Sequence, residues 1–147
     1  MGRLLNVVTP LHKKTRRDYL GRMRDDKVGC MAVAKKYGME YWDGDRRYGY
    51  GGYRYDGRWE SVARRLIETY GLKEDASILD VGCGKGYLLY EFRRLLPGAR
   101  LHGFDLSAYA IDHAKEEIRD RVFVHRAQDP LPYGDKEFDL VLSITTL

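Results

Sequence analysis

The sequence predicts an α/β fold, a doubly wound parallel sheet reached through a helical, Tyr- and Gly-rich N-terminal segment. Three features carry this expectation. From Arg58 onward, apolar residues switch between helical spacing and short continuous runs of the kind a buried strand shows. The helix-like and strand-like stretches alternate, which requires crossover connections and therefore a parallel sheet covered on both faces. The first strand-like run opens into a turn with glycine at alternate positions, Gly82, Gly84 and Gly86. Sheets of this kind take ligands at the carboxyl ends of their strands, beside the point where strand order reverses.

The elements follow in order. From Arg58 to Tyr70, residues Trp59, Val62, Ala63, Leu66, Ile67 and Tyr70 share a helical face, and Gly71 supplies the stop. Ser77 to Val81 is strand one. A helix from Tyr87 to Leu96 carries Leu88, Leu89, Phe92, Leu95 and Leu96 on one side and ends at Pro97-Gly98. Arg100 to Asp105 is strand two. Ser107 is placed to cap a third helix bearing Ala110, Ile111, Ala114 and Ile118. Strand three runs from Arg121 to His125 and strand four from Phe138 to Ile144. The loop between them, Asp129 to Asp135, holds two prolines and a glycine and has little room for a helix. Strand four is then an open apolar edge, through which self-association is expected. The pattern covers only the first four strands of such a domain, so Leu147 is not expected to be the end of a complete one.

The length of 147 residues suits one domain or slightly less. No apolar run approaches the roughly 20 residues that span a bilayer, so no membrane partner is expected. The start, Met1 to Val8, is too short and too weakly apolar for a secretory signal, and a cytoplasmic protein is expected. Two cysteines, Cys30 and Cys83, make neither a disulfide framework nor a metal site; both are expected to be thiols, and no metal is expected. Residues 1–60 hold 14 Lys/Arg against 8 Asp/Glu, whereas residues 61–147 hold 12 against 14. Any attraction for an anionic partner therefore lies in the N-terminal part.

Small residues at the turn after strand one let the backbone bend sharply and aim N–H groups at a ligand. The dinucleotide spacing G-x-G-x-x-G fails, because Tyr87 stands three residues after Gly84, and a P-loop is absent. The run Ile78-Leu79-Asp80-Val81-Gly82-Cys83-Gly84-Lys85-Gly86 instead resembles the first motif of class I S-adenosyl-L-methionine (SAM) dependent methyltransferases, whose fold is Rossmann-like. The resemblance spans residues 58–147. It implies SAM as cofactor, with Asp80, Gly82, Cys83, Gly84 and Gly86 on its methionine side. Asp105 follows Gly86 by 19 residues, close to the spacing at which an acidic group reads a ribose. By resemblance Leu106 lies against the adenine. Arg126 to Tyr133 looks like the family's adenine-side loop, where Gln128 or Asp129 can meet the amino group and Asp129 is preferred. Strand four ends in Ser143-Ile144-Thr145-Thr146, where the family brings acceptor and methyl together; Ser143 is taken as a cofactor-side residue. The Asn/Asp-Pro-Pro-aromatic box of enzymes that methylate exocyclic base amines is missing there.

Residues 1–57 are expected to form a helical lid over residues 58–147, the cofactor-binding domain. Helices are expected between Arg16 and Tyr37, and the basic run Lys13 to Arg17 reads as a solvated face. Tyr41, Trp42 and Tyr55 are the lid's cofactor-side candidates, because rings attract a sulfonium through cation–π interaction. The same Tyr/Arg/Gly stretch could instead stack on bases, giving a less favoured nucleic-acid partner. None of the four histidines has a recognisable partner, so no catalytic base is named. The expected function is methyl transfer to a small-molecule acceptor, a sugar or other hydroxylated metabolite, by in-line displacement. Positioning alone supplies up to roughly 7–11 kcal/mol in such a reaction. The alternative is a non-catalytic methyltransferase-like module, or a protein that binds or modifies RNA through the basic Tyr/Arg/Gly segment.

Overall fold

The computed structural model describes residues 2, 5–7 and 19–144. Three short helices come first: α1 (Tyr19–Arg24), α2 (Lys27–Ala34) and α3 (Met39–Trp42). Then follow α4 (Glu60–Tyr70), β1 (Ser77–Val81), α5 (Tyr87–Leu95), β2 (Arg100–Asp105) and α6 (Ala108–Asp112). A 3-10 turn (Glu116–Arg121), β3 (Val122–Val124) and β4 (Leu140–Leu142) complete the order. The basic run Lys13 to Arg17, His12 and Thr145 to Leu147 lie outside the described residues.

The four strands are all parallel, in the order β3-β2-β1-β4. The chain steps outward from β1 to β3 and then returns to the far side of β1, so strand order reverses between β1 and β4. Ile78 pairs with Leu101 and Leu140, and one pleat further on Asp80 pairs with Gly103 and Leu142. These positions share one face, because side chains alternate along a strand. That face meets α4 through Val62, Ala63 and Leu66, α5 through Leu88, Leu89 and Phe92, and the α6 region through Ile111, Ala114 and Ile118. At Gly103 a Cβ would stand 2.5 Å from Leu89 Cδ1, so α5 can sit this close only over a glycine.

The helix ends follow their sequence signals. Gly71 closes α4 in the left-handed region at φ 60° and returns its N–H to Ile67. Ser107 caps α6 by accepting from Ala110 N–H at 3.0 Å. Glu91 is fully buried on α5, and Tyr55 Oη (2.6 Å) and Arg94 (2.8 Å) satisfy its carboxylate.

Three expectations are corrected. The third helix is split: Lys115 adopts ψ 132°, and its N–H turns to Lys85 O at 3.2 Å, leaving Ile118 in the 3-10 turn. Strands three and four are shorter than the apolar runs that signal them, spanning Val122–Val124 and Leu140–Leu142. Among the described residues the helices cover one sheet face only. On the other, Tyr133 and Phe138 of the β3–β4 loop pack edge-on against His102, each 5.6 Å away. Pro130 and Pro132 explain this, since proline lacks the N–H a helix needs. Beyond those rings Val141 is 59% exposed, so part of this face is open.

The core prediction is direct. Phe92 has no exposed surface, and Phe92→Ala is expected to cost about 3–5 kcal/mol in urea unfolding.

Candidate functional site

The turn after β1 is shaped by β2. Phe104 O accepts from both Gly82 N–H (2.8 Å) and Cys83 N–H (3.0 Å), and Asp105 Oδ2 accepts from Gly84 N–H at 2.8 Å. Gly84 has φ 56°, and a Cβ there would come within 2.8 Å of the Trp42 ring. Glycine is therefore required twice over, for conformation and for space. Gly86, at φ 69°, begins α5 and backs onto Ile118.

Trp42, from the N-terminal segment, reaches this turn. Its Nε1–H donates to Ser107 Oγ at 2.8 Å and to Tyr37 O at 3.1 Å. The Ser107 hydroxyl donates to Tyr37 O and accepts from Trp42 and Ala110, which uses its whole hydrogen-bonding capacity. Around the indole, Tyr41 packs edge-on at 5.3 Å and Tyr50 stacks at 5.2 Å. Tyr53 continues the wall and stacks on Tyr87 at 5.0 Å. Below the rings, Asp43 accepts from Lys85 Nζ at 2.7 and 2.8 Å and from Tyr109 Oη at 2.9 Å.

Between wall and turn lies a cleft of about 270 Å³ at the carboxyl ends of β1 and β2. Two carboxylates, Asp80 and Asp105, face it, and none of its lining residues is Lys, Arg or His. Burial, and then the nearby Asp105 charge, push the Asp80 carboxyl up to about 7. Burial likewise raises the Cys83 thiol, and burial together with Tyr50 and Tyr37 pushes Tyr41 up to about 12. Each Asp105 oxygen spends one bond on a backbone N–H, from Gly84 or Ser107. One lone-pair direction per oxygen remains, the number a cis-diol needs.

Of the residues singled out in the sequence, Asp80, Gly82, Cys83, Gly84, Asp105, Leu106 and Tyr41 line the cleft. Gly86 lies behind it, as the residue that starts α5. Three others lie away from it. Asp129 is exposed with its N–H on Arg126 O, and that turn presents Ala127 and Gln128 to the cleft instead. The Tyr55 hydroxyl is taken by buried Glu91, and its ring packs on Tyr87 and Tyr90. Ser143 is exposed, while Ile144, the next residue, faces the cleft, as strand alternation dictates. Sequence reasoning missed Tyr50, Tyr53, Trp59 and Tyr87, which complete the ring wall, and Asp43 and Lys85 behind it. A lysine inside a glycine-rich turn was the available signal, because a buried ammonium requires a carboxylate. Among the described residues no histidine lines the cleft: His113 Nδ1 meets Tyr109 O, His125 Nε2 meets Pro130 O, and His102 is enclosed by Tyr133 and Phe138. In the Tyr/Arg/Gly stretch, Arg46 Nη1 donates to Gly49 O and Tyr50 O, and Arg47 pairs with Asp25.

A parallel α/β sheet with a glycine-rich turn after β1 and a carboxylate at the end of β2 defines a nucleoside-type site. Residues 78–147 match the family described as "Methyltransferase domain". Malonyl-[acyl-carrier protein] O-methyltransferase of Priestia megaterium is 31% identical over 91 residues, covering 59% of this chain and 33% of that protein. Erythromycin 3''-O-methyltransferase of Saccharopolyspora erythraea is also 31% identical over 91 residues, covering 58% and 30%. The chain thus spans about a third of the length of these curated relatives. The crystal structure of a candidate SAM-dependent methyltransferase from Methanococcus maripaludis shares the fold, at TM-score 0.50 and 18% identity over 90% of this chain and 52% of that one. Residues 78–147 thus carry the likeness to methyltransferases, and the fold is shared with a solved one.

Asp80 gives a test of the cleft without any ligand. Its folded-state value near 7 lies above the ordinary 3.8, so its contribution to stability is full below about 3.8 and is lost as pH rises through 7. Asp80→Asn abolishes this dependence. The variant is expected to melt at least roughly 4 °C above the native protein at pH 8, with the difference vanishing near pH 4 in scanning calorimetry.

Proposed function

We propose that this chain is the cofactor-binding part of a SAM-dependent methyltransferase acting on a small hydroxylated acceptor, in a cytoplasmic setting. One observation carries the cofactor: a cleft that, among the described residues, has two carboxylates, no basic side chain and a wall of aromatic rings, seated on a glycine-rich turn. Such a lining suits a ligand with cationic centres, and rings over a sulfonium add about 0.5–2 kcal/mol. SAM supplies an activated methyl group on a positively charged sulfur. Asp105 is the group for the ribose diol, and Leu106 and Gln128 border the adenine side. Asp80 is buried, and among the described residues no hydrogen-bond donor reaches its carboxylate, which leaves it for the ligand's ammonium. The rings from Tyr41 to Tyr53 exclude water, which preserves the reacting geometry.

Both curated relatives named above are O-methyltransferases, which supports an oxygen acceptor. Among the described residues the cleft has no histidine to serve as base. The RNA-binding alternative is disfavoured by the packing of Tyr41, Tyr50 and Tyr53 on one another and of Tyr53 and Tyr55 on Tyr87.

Titration calorimetry with SAM and with S-adenosylhomocysteine tests the cofactor. Binding of both is expected, and Asp105→Ala is expected to weaken it tenfold or more, the loss of one or two charge-assisted hydrogen bonds. Unchanged affinity in that variant would remove Asp105 from the site. For the acceptor, methyl-labelled SAM is offered with sugars and hydroxylated metabolites, and in parallel with RNA. Label is expected in the small-molecule fraction; label in RNA would transfer the assignment to the alternative.

A further inference from the structure

Lys85 is the one basic residue of the turn Asp80 to Gly86, and it does not face the cleft. Its side chain is 6% exposed, and Nζ donates to both Asp43 oxygens and to Tyr53 O at 2.9 Å. Asp43 also accepts from Tyr109 Oη and, at 3.1 Å, from Tyr53 N–H. Burial acts to raise the Asp43 carboxyl, but the Lys85 and Tyr109 hydrogen bonds outweigh it and hold it below the usual carboxylate range. Tyr53 O receives a further bond from Tyr87 Oη at 3.0 Å, and the rings of Tyr53 and Tyr87 line the cleft. The same residue, Tyr53, thus touches the ion pair on one side and the cleft on the other.

The electrostatics follow from this layering. Among the described residues the cleft holds Asp80 and Asp105 against no basic side chain, and one residue behind it the Lys85 ammonium is cancelled by Asp43. Were Asp43 neutral, an uncompensated cation would stand behind the rings and oppose the two carboxylates. At an effective dielectric of about 20, a unit charge one residue's width away alters the binding of a cation by roughly tenfold. We infer that Asp43 tunes the charge selectivity of the cleft: by neutralising Lys85 it raises the affinity for a sulfonium donor relative to that for the uncharged thioether product. Asp43 is a positioning residue here, acting through Lys85 and not on the reacting atoms. The inference rests on the proposed cofactor.

SAM and S-adenosylhomocysteine differ by the charged methyl at sulfur, so the ratio of their affinities isolates this effect from general damage to the lid. Calorimetry on the full chain compares the native protein with Asp43→Asn, Lys85→Met and the double variant. Asp43→Asn is expected to lower the SAM-over-product preference roughly tenfold, Lys85→Met to raise it, and the double variant to restore the native ratio. Equal weakening of both ligands in Asp43→Asn, with the ratio unmoved, overturns the inference and leaves Asp43 a mere lid anchor. If Asp43→Asn does not fold, an unchanged ratio in Lys85→Met overturns it equally. Failure of the native chain to bind either ligand overturns the cofactor reading itself, and the inference with it.

Discussion

A buried ammonium in the middle of a glycine-rich turn is the constraint around which the described part of this molecule is arranged. Lys85 follows Gly84, whose backbone is bent to fit beneath Trp42, and it has almost no contact with solvent. An ionised side chain in that position is tolerated only with a carboxylate and further acceptors at hand; removing one member of such a pair typically costs about 3–5 kcal/mol. Asp43 and Tyr53 meet that need, and both come from the N-terminal segment. The turn and the N-terminal segment thus hold each other in place.

The second anchor is similar in kind. Glu91 is buried on α5, and the Tyr55 hydroxyl that satisfies it again belongs to the N-terminal segment. Two buried charges of opposite sign, on the turn and on the helix that follows it, thus draw the same stretch of chain across the ends of β1 and β2. Between these attachments the rings of Trp42, Tyr50 and Tyr53 have no choice but to stack on one another and on Tyr87. The wall of the cleft is a by-product of where the charges had to go.

This explains what could and could not be read from the sequence. The sheet was legible, because Ile78, Leu79 and Leu101 are apolar at strand spacing and Gly71 and Ser107 mark helix ends by local chemistry. So were Asp80, Gly84 and Asp105, whose spacing is dictated by a short strand-turn-helix unit. The residues that went astray depend on contacts far along the chain. Tyr55 was claimed by Glu91, 36 positions away. Ser143 and Ile144 differ only in pleat phase, which the last strand's short pairing with β1 decides. The split after α6 has the same origin, since Lys115 N–H prefers the Lys85 carbonyl to its own helix.

The chain contains two tryptophans, and Trp42 and Trp59 both line the cleft. One indole lies against a tyrosine stack and donates to Ser107, and the other donates to the Tyr53 hydroxyl. Indole emission is sensitive to the polarity and fields around the ring, so the tryptophan fluorescence of this chain originates from its cleft. The molecule carries its own optical reporter, placed where a ligand would lie and silent about the rest of the fold.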